Sequence, residues 1–143
     1  WRISMASKKS LKEQQSKGYT IKPELIEAQG RSVGTIVGGR LCQEAIDSLE
    51  NPSLVNKMSF KDLKSLARKE CIQDSNYLSA QAPILETVFK ILLSAPNDTL
   101  SEDELHGTIN ELWMNAISPR HISLDALSKV IRRDSYYGII KLG

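Results

Sequence analysis

Cysteine is scarce in this sequence: only Cys42 and Cys71 occur, and they form no Cys-x-x-Cys pair. A disulfide-dense scaffold and a zinc module built on paired cysteines are therefore excluded. Histidine is as sparse, and His106 and His121 are too far apart for a His-x-x-x-His metal pair. No metal site is expected. Charge of one sign is also lacking. Lys and Arg total 19 against 17 Asp and Glu, a net charge of +2, so bulk electrostatics names no partner. No apolar run approaches the ~18 residues of a membrane span, and no signal-peptide core precedes a small-residue cleavage site. A cytoplasmic protein without membrane association is the expectation. Gly-x-Ser-x-Gly and the Gly-Lys-Ser/Thr phosphate loop are both absent. With nothing to activate a nucleophile or water, neither an enzyme nor a cofactor is expected.

What is present is an ordinary globular composition, 41% apolar and 25% charged over 143 residues. A chain of this length buries about 68–70% of its unfolded surface and needs no covalent staple. The two cysteines are accordingly expected to be buried, reduced and hydrophobic in behaviour, although a single bridge is chemically open to them. Met5 reads as a natural start, so residues 1–4 are set aside. From Ala6 to Lys17 the chain is polar and basic, with Leu11 its one large apolar residue. Residues 1–20 are expected to be a flexible arm that either touches nucleic acid or only solubilises.

Pro23 suits the first turn of a short helix through Ala28, stopped by Gly30. The segment Arg31–Arg40 holds three of the eight glycines but matches no nucleotide-binding turn. Gly34 and Gly38 form either a small-residue helix face or a hinge. Val37, Leu41, Ala45 and Leu49 then predict a helix over 39–49, ended by Asn51-Pro52. Ser59 with Asp62 marks the next start, and Phe60, Leu63, Leu66, Ala67 and Cys71 give its buried face. Lys57, Lys61, Lys64 and Arg68 fall on a different face at spacings of four, three and four. They make either a solvated surface or a track for phosphates.

Pro83 opens a helix that is apolar nearly all round, Ile84 to Leu93, and so marks the centre of the fold. Asn97–Leu100 has room only for a brief strand. Ser101 and Glu104 form a capping box, which assigns Glu102, Asp103 and Glu104 to a helix start and not to acid catalysis. That helix is expected to run to Ser118-Pro119, with His106 at its edge. Ser123 caps a last helix whose outer face carries Lys129, Arg132 and Arg133. Tyr136–Leu142 reads as a strand.

The succession Ile84–Leu92, Glu104–Trp113, Ser123–Arg133 and Tyr136–Leu142 resembles the winged-helix variant of the helix-turn-helix fold. The sequence ends where a wing hairpin turns back, so the returning strand is missing or supplied from elsewhere. The expected fold is mostly α: a helical segment over 21–78, with a winged-helix-like unit over 79–143 carrying one or two short strands and packed on it as one domain. The resemblance implies that helix 123–133 faces a DNA groove. Asp125 is poorly placed for phosphate, and the cations sit late on the helix, which favours backbone contact over base reading. The expected function is therefore nucleic-acid binding, as a DNA-binding regulator or a DNA-packaging component. Lys57, Lys61, Lys64, Arg68, Arg120, Ser123, Lys129, Arg132 and Arg133 are the candidate contacts, gathered on one positive surface. The competing expectation is a non-catalytic interaction module that binds a protein partner or a second copy of itself.

Overall fold

The computed structural model describes residues 18–117 and 119–142, so the arm's residues up to 17 lie outside it. The described chain is mostly helical. Helices α1 (Pro23–Ala28), α2 (Val33–Gly38) and α3 (Gln43–Asp47) are followed by a 3₁₀ helix over Pro52–Lys57. The longer helices α4 (Phe60–Glu70), α5 (Ile84–Ser94), α6 (Glu102–Met114) and α7 (Leu124–Arg132) complete the set. Three short strands, β1 (Tyr19–Ile21), β2 (Thr99–Leu100) and β3 (Ile139–Lys141), form one antiparallel sheet in the order β2-β1-β3.

The middle strand corrects the expected arm boundary at residue 20. Tyr19 pairs with Leu100 on one side and with Lys141 on the other. Its phenol oxygen lies 3.3 Å from both Glu102 Oε1 and Ser128 Oγ, which fixes the strand to α6 and α7. Strand β1 thus ties the N-terminal segment to the C-terminal unit.

Serine hydroxyls start three helices as their spacing predicts. Ser59, Ser101 and Ser123 each accept from the backbone N–H three residues on, and Ser101 also donates to the Glu104 carboxylate. Those contacts satisfy donors that the first helical turn leaves open. Helix α5 is the centre: Val88, Phe89, Leu92 and Leu93 are all buried, packed in a core that draws on α1, α2, α4, α6, α7 and the sheet. Tyr77 holds the preceding loop against it, donating to the Lys90 carbonyl while the Lys90 ammonium donates back to the Tyr77 carbonyl.

Several boundaries differ from the periodicity. The helix expected over 39–49 is broken, because α2 ends at Gly38 and α3 begins only at Gln43. Two consecutive glycines are weak helix formers, and extended Cys42 turns the chain at the break. Helix α2 then presents Gly34 to the 3₁₀ helix so closely that a Cβ there would collide with the Val55 carbonyl oxygen. The pair Gly34 and Gly38 is therefore a packing face. Helix α6 stops at Met114, short of Ser118-Pro119, where the Asn115 amide folds back onto the Glu111 carbonyl. Strand β3 is shorter than expected because Asp134 takes the chain into a turn. Its carboxylate accepts from the amides of Tyr136, Tyr137 and Ile139, each at 3.0 Å. Gly138 completes that turn with a φ of +69°.

The cysteines are not the separate thiols expected. Cys42, capping α3, and Cys71, ending α4, form a disulfide with a Cα–Cα distance of 5.4 Å. Both lie in a small second cluster with Ala45 and Tyr77. Burial is legible in the sequence for each residue, but their meeting depends on the packing of α3 on α4.

Candidate nucleic-acid interface

Helix α7 buries Leu127 and Ile131 and turns the opposite side outward. That side exposes Asp125, Lys129 and Arg132, with Arg133 following at the C-cap; Ser123 is exposed at the N-cap, where its hydroxyl accepts from the Ala126 N–H. Lys129 pairs with Asp125 at 3.1 Å, one helical turn apart, so these two charges largely offset one another. Arg132 and Arg133 have no ion-pair partner among the described residues. Nearby Lys141 on β3 is bound to Glu102 at 2.8 Å, a contact that raises the lysine's pKa.

The approach to α7 is set by a side-chain amide. Asn110 Oδ1 accepts from the Ile122 N–H at 3.0 Å, while its Nδ2 donates to the carbonyls of Ile122 and His106. His106 Nε2 sits 2.8 Å from the same Ile122 oxygen and 2.9 Å from Asn110 Nδ2, which joins it to the connection. The position of α7 relative to α6 thus rests on a buried polar network, which is rigid only when fully paired. Arg120 is exposed but occupied. Its guanidinium stacks 4.0 Å from the Trp113 ring centre and donates to the Ala80 carbonyl at 2.8 Å.

The α4 cations behave differently from a track. Lys57 and Lys61 are exposed, and Arg68 is partly buried. Lys64 must be withdrawn from the phosphate contacts: only 6% exposed, its ammonium donates to the carbonyls of Leu92, Leu93 and Ala95 at 2.7, 3.2 and 3.3 Å. It closes the C-terminal end of α5, where carbonyls have no helical partner and the dipole favours a cation. Burial and the adjacent Arg68 guanidinium push Lys64 down to about 8, while Asp98 favours its charge. In the unfolded chain the amine titrates near 10.5. Between those values the unfolded state binds more protons, so this site's contribution to stability rises with pH. Denaturant unfolding at about pH 7.5 and 9.5 is expected to show that rise relative to a Lys64→Met variant. An identical pH response in the two proteins would contradict it.

The expected single positive surface is divided. Lys61 and Arg68 line a cleft beside the turn before β2, with Lys22 and Glu24 at the α1 start. Arg132 and Lys141 line a separate hollow along the β3 edge, with Leu25 of the same helix and Gln29 at its C-cap. Helix α1 and strand β1 contribute to both, standing between them. Lys22 and Lys141 join these linings from outside the expected set, and no spacing in the sequence marks them.

Among the described residues, ligand atoms of Cys42, Glu44 and Asp74 lie within 4.8 Å of one another. The sulfur there is bridged to Cys71, and a disulfide is not the thiolate that binds metals. No described helix is long and apolar enough to cross a membrane. Comparison of the chain with protein-family models, with curated proteins and with solved structures finds no match.

Proposed function

We propose that this protein binds nucleic acid through the outer face of α7, in a winged-helix-like unit completed by its N-terminal strand. The observation that carries the reading is the outward side of α7: Arg132 and Arg133 are exposed there with no ion-pair partner among the described residues, and the inner side is anchored by Leu127 and Ile131. Support also comes from the sheet. A wing strand returning after β3 would run antiparallel to it, as β1 does. Recognition is of the phosphate backbone, since Asp125 and Ser123 at the start of α7 offer little for base edges beyond a serine hydroxyl and an acceptor for a cytosine amine. The protein is a binding component, acting in regulation or packaging of DNA, and no catalytic step is assigned to it.

With two or three phosphates neutralised, log affinity for duplex DNA is expected to fall with log salt at a slope of about −2 to −3. Charge reversal of both Arg132 and Arg133 should flatten that slope by about 2, whereas reversal at Lys57 should change it little. Fluorescence anisotropy with a labelled duplex measures both. Equal slopes for the parent and the Arg132→Glu/Arg133→Glu protein would reject the α7 interface.

A second reading, contact with a protein partner or another copy of the chain, is favoured by Met114 and Ile117, which are 68% and 98% exposed beside the end of α6. A light-scattering mass that stays monomeric with parent protein and with Ile117→Ser alike would remove self-association from that reading.

A further inference from the structure

The cleft along α4 is a different kind of place from the α7 face. It is open on one side and measures about 720 Å³, within the range of sites that enclose small molecules. One wall is α4, with Phe60, Lys61 and Arg68; the other is the β1–α1 junction, with Lys22 and Glu24; the turn before β2 brings Asp98.

Arg68 distinguishes it from an ordinary solvated helix face. Its Nε–H is shielded from water and has no hydrogen-bond partner among the described residues. The side chain is in no ion pair among them either. With Nε closed off, the terminal nitrogens are the donors the cleft can offer, and this planar, unpaired fork matches the oxygens of a phosphate. The neighbouring cation cannot help it. Lys64 has committed its three donors to α5 carbonyls, and the two positive groups lie close enough for Arg68 to depress the lysine's pKa.

We propose that this cleft binds a small phosphorylated sugar, its phosphate held by Arg68 and Lys61 and its hydroxyls donating to Asp98. The phosphate accepts from the terminal guanidinium nitrogens of Arg68, which make no hydrogen bond among the described residues, and offsets the local excess of positive charge. Glu24 and Asp98 select against a polymer: two carboxylates on the walls repel a run of phosphates but accept hydrogen bonds from sugar hydroxyls. Phe60 adds apolar surface to the same wall. The cleft and the proposed α7 interface share none of the residues named for either, so each reading stands or falls alone.

Calorimetric titration with ribose 5-phosphate, inorganic phosphate, ribose and a short DNA duplex tests the assignment on the full chain. Ribose 5-phosphate is expected to bind more tightly than inorganic phosphate, and ribose not to bind measurably. Arg68→Met should weaken ribose 5-phosphate binding by about tenfold or more, while Arg132→Glu/Arg133→Glu leaves it unchanged. Should Arg68→Met fail to fold, Lys61→Gln takes its place and is expected to weaken the same binding. Amide shifts of the parent protein, followed during the titration, should then move within Phe60–Arg68. The proposal is overturned if ribose 5-phosphate does not bind, or binds the variant as well as the parent. It is also overturned if inorganic phosphate binds equally well, or if only the duplex occupies the cleft.

Discussion

Phe89→Ala is expected to lower the unfolding free energy by about 3–5 kcal/mol, the range for deleting a large buried aromatic side chain. Phe89 is wholly excluded from solvent on α5, and its ring centre lies 4.9 Å from that of Tyr137. The change removes apolar area and also leaves a void, because Val88, Leu92, Leu93 and the surrounding helices are held by several independent elements and can relax only in part. Total stabilities of domains this size are roughly 5–15 kcal/mol, so the loss is a large share. Equilibrium unfolding in urea measures it. A shift in midpoint with an unchanged slope is the expected form, and a loss below about 1 kcal/mol, typical of surface positions, would displace α5 from the centre of the fold.

Opening the Cys42–Cys71 bridge is expected to cost a similar amount. The cysteines are separated by 29 positions, and closing a loop of that length removes unfolded-state entropy worth about 3–4 kcal/mol in the chain-entropy treatment. Replacing both residues by alanine should reproduce most of the effect of a dithiol reductant, since the sulfur atoms lie in a small cluster beside the main core. Urea unfolding with and without reductant, paired with a count of free thiols, is the measurement. Two titratable thiols in the unreduced protein, together with identical midpoints, would contradict the bridge. In a compartment that keeps thiols reduced, the stability of the reduced protein is the relevant one.

Much of the helical framework is legible in the sequence because its signals are local. Ser59, Ser101 and Ser123 cap the helices that their spacing announces, and the apolar run is buried at Val88, Phe89, Ile91, Leu92 and Leu93, with Ile84 and Leu85 partly buried. Strand β1 is not legible: three residues carry too little alternation, and its place is decided by partners at Leu100 and Lys141, far away in sequence. The bridge is hidden for the same reason. Lys64 is more instructive. Phe60, Lys64, Ala67 and Cys71 recur at four, three and four, so the lysine stands on the apolar stripe as well as on the basic one. Its hydrocarbon stem suits burial, and its ammonium meets the end of α5, which no helical period can reveal. The basic stripe therefore overstates the α4 surface, and the separation of Lys61 and Arg68 from Arg132 depends on α1 and β1, which contribute to both linings.

The outer face of α7 is tested most directly by following backbone amide shifts while a DNA duplex is added at about 50 mM salt. Perturbations gathered over Ser123–Arg133 and reversed by added salt are the predicted result. Unchanged amides along α7, with shifts absent or confined to the Met114–Ile117 end of α6, would contradict it.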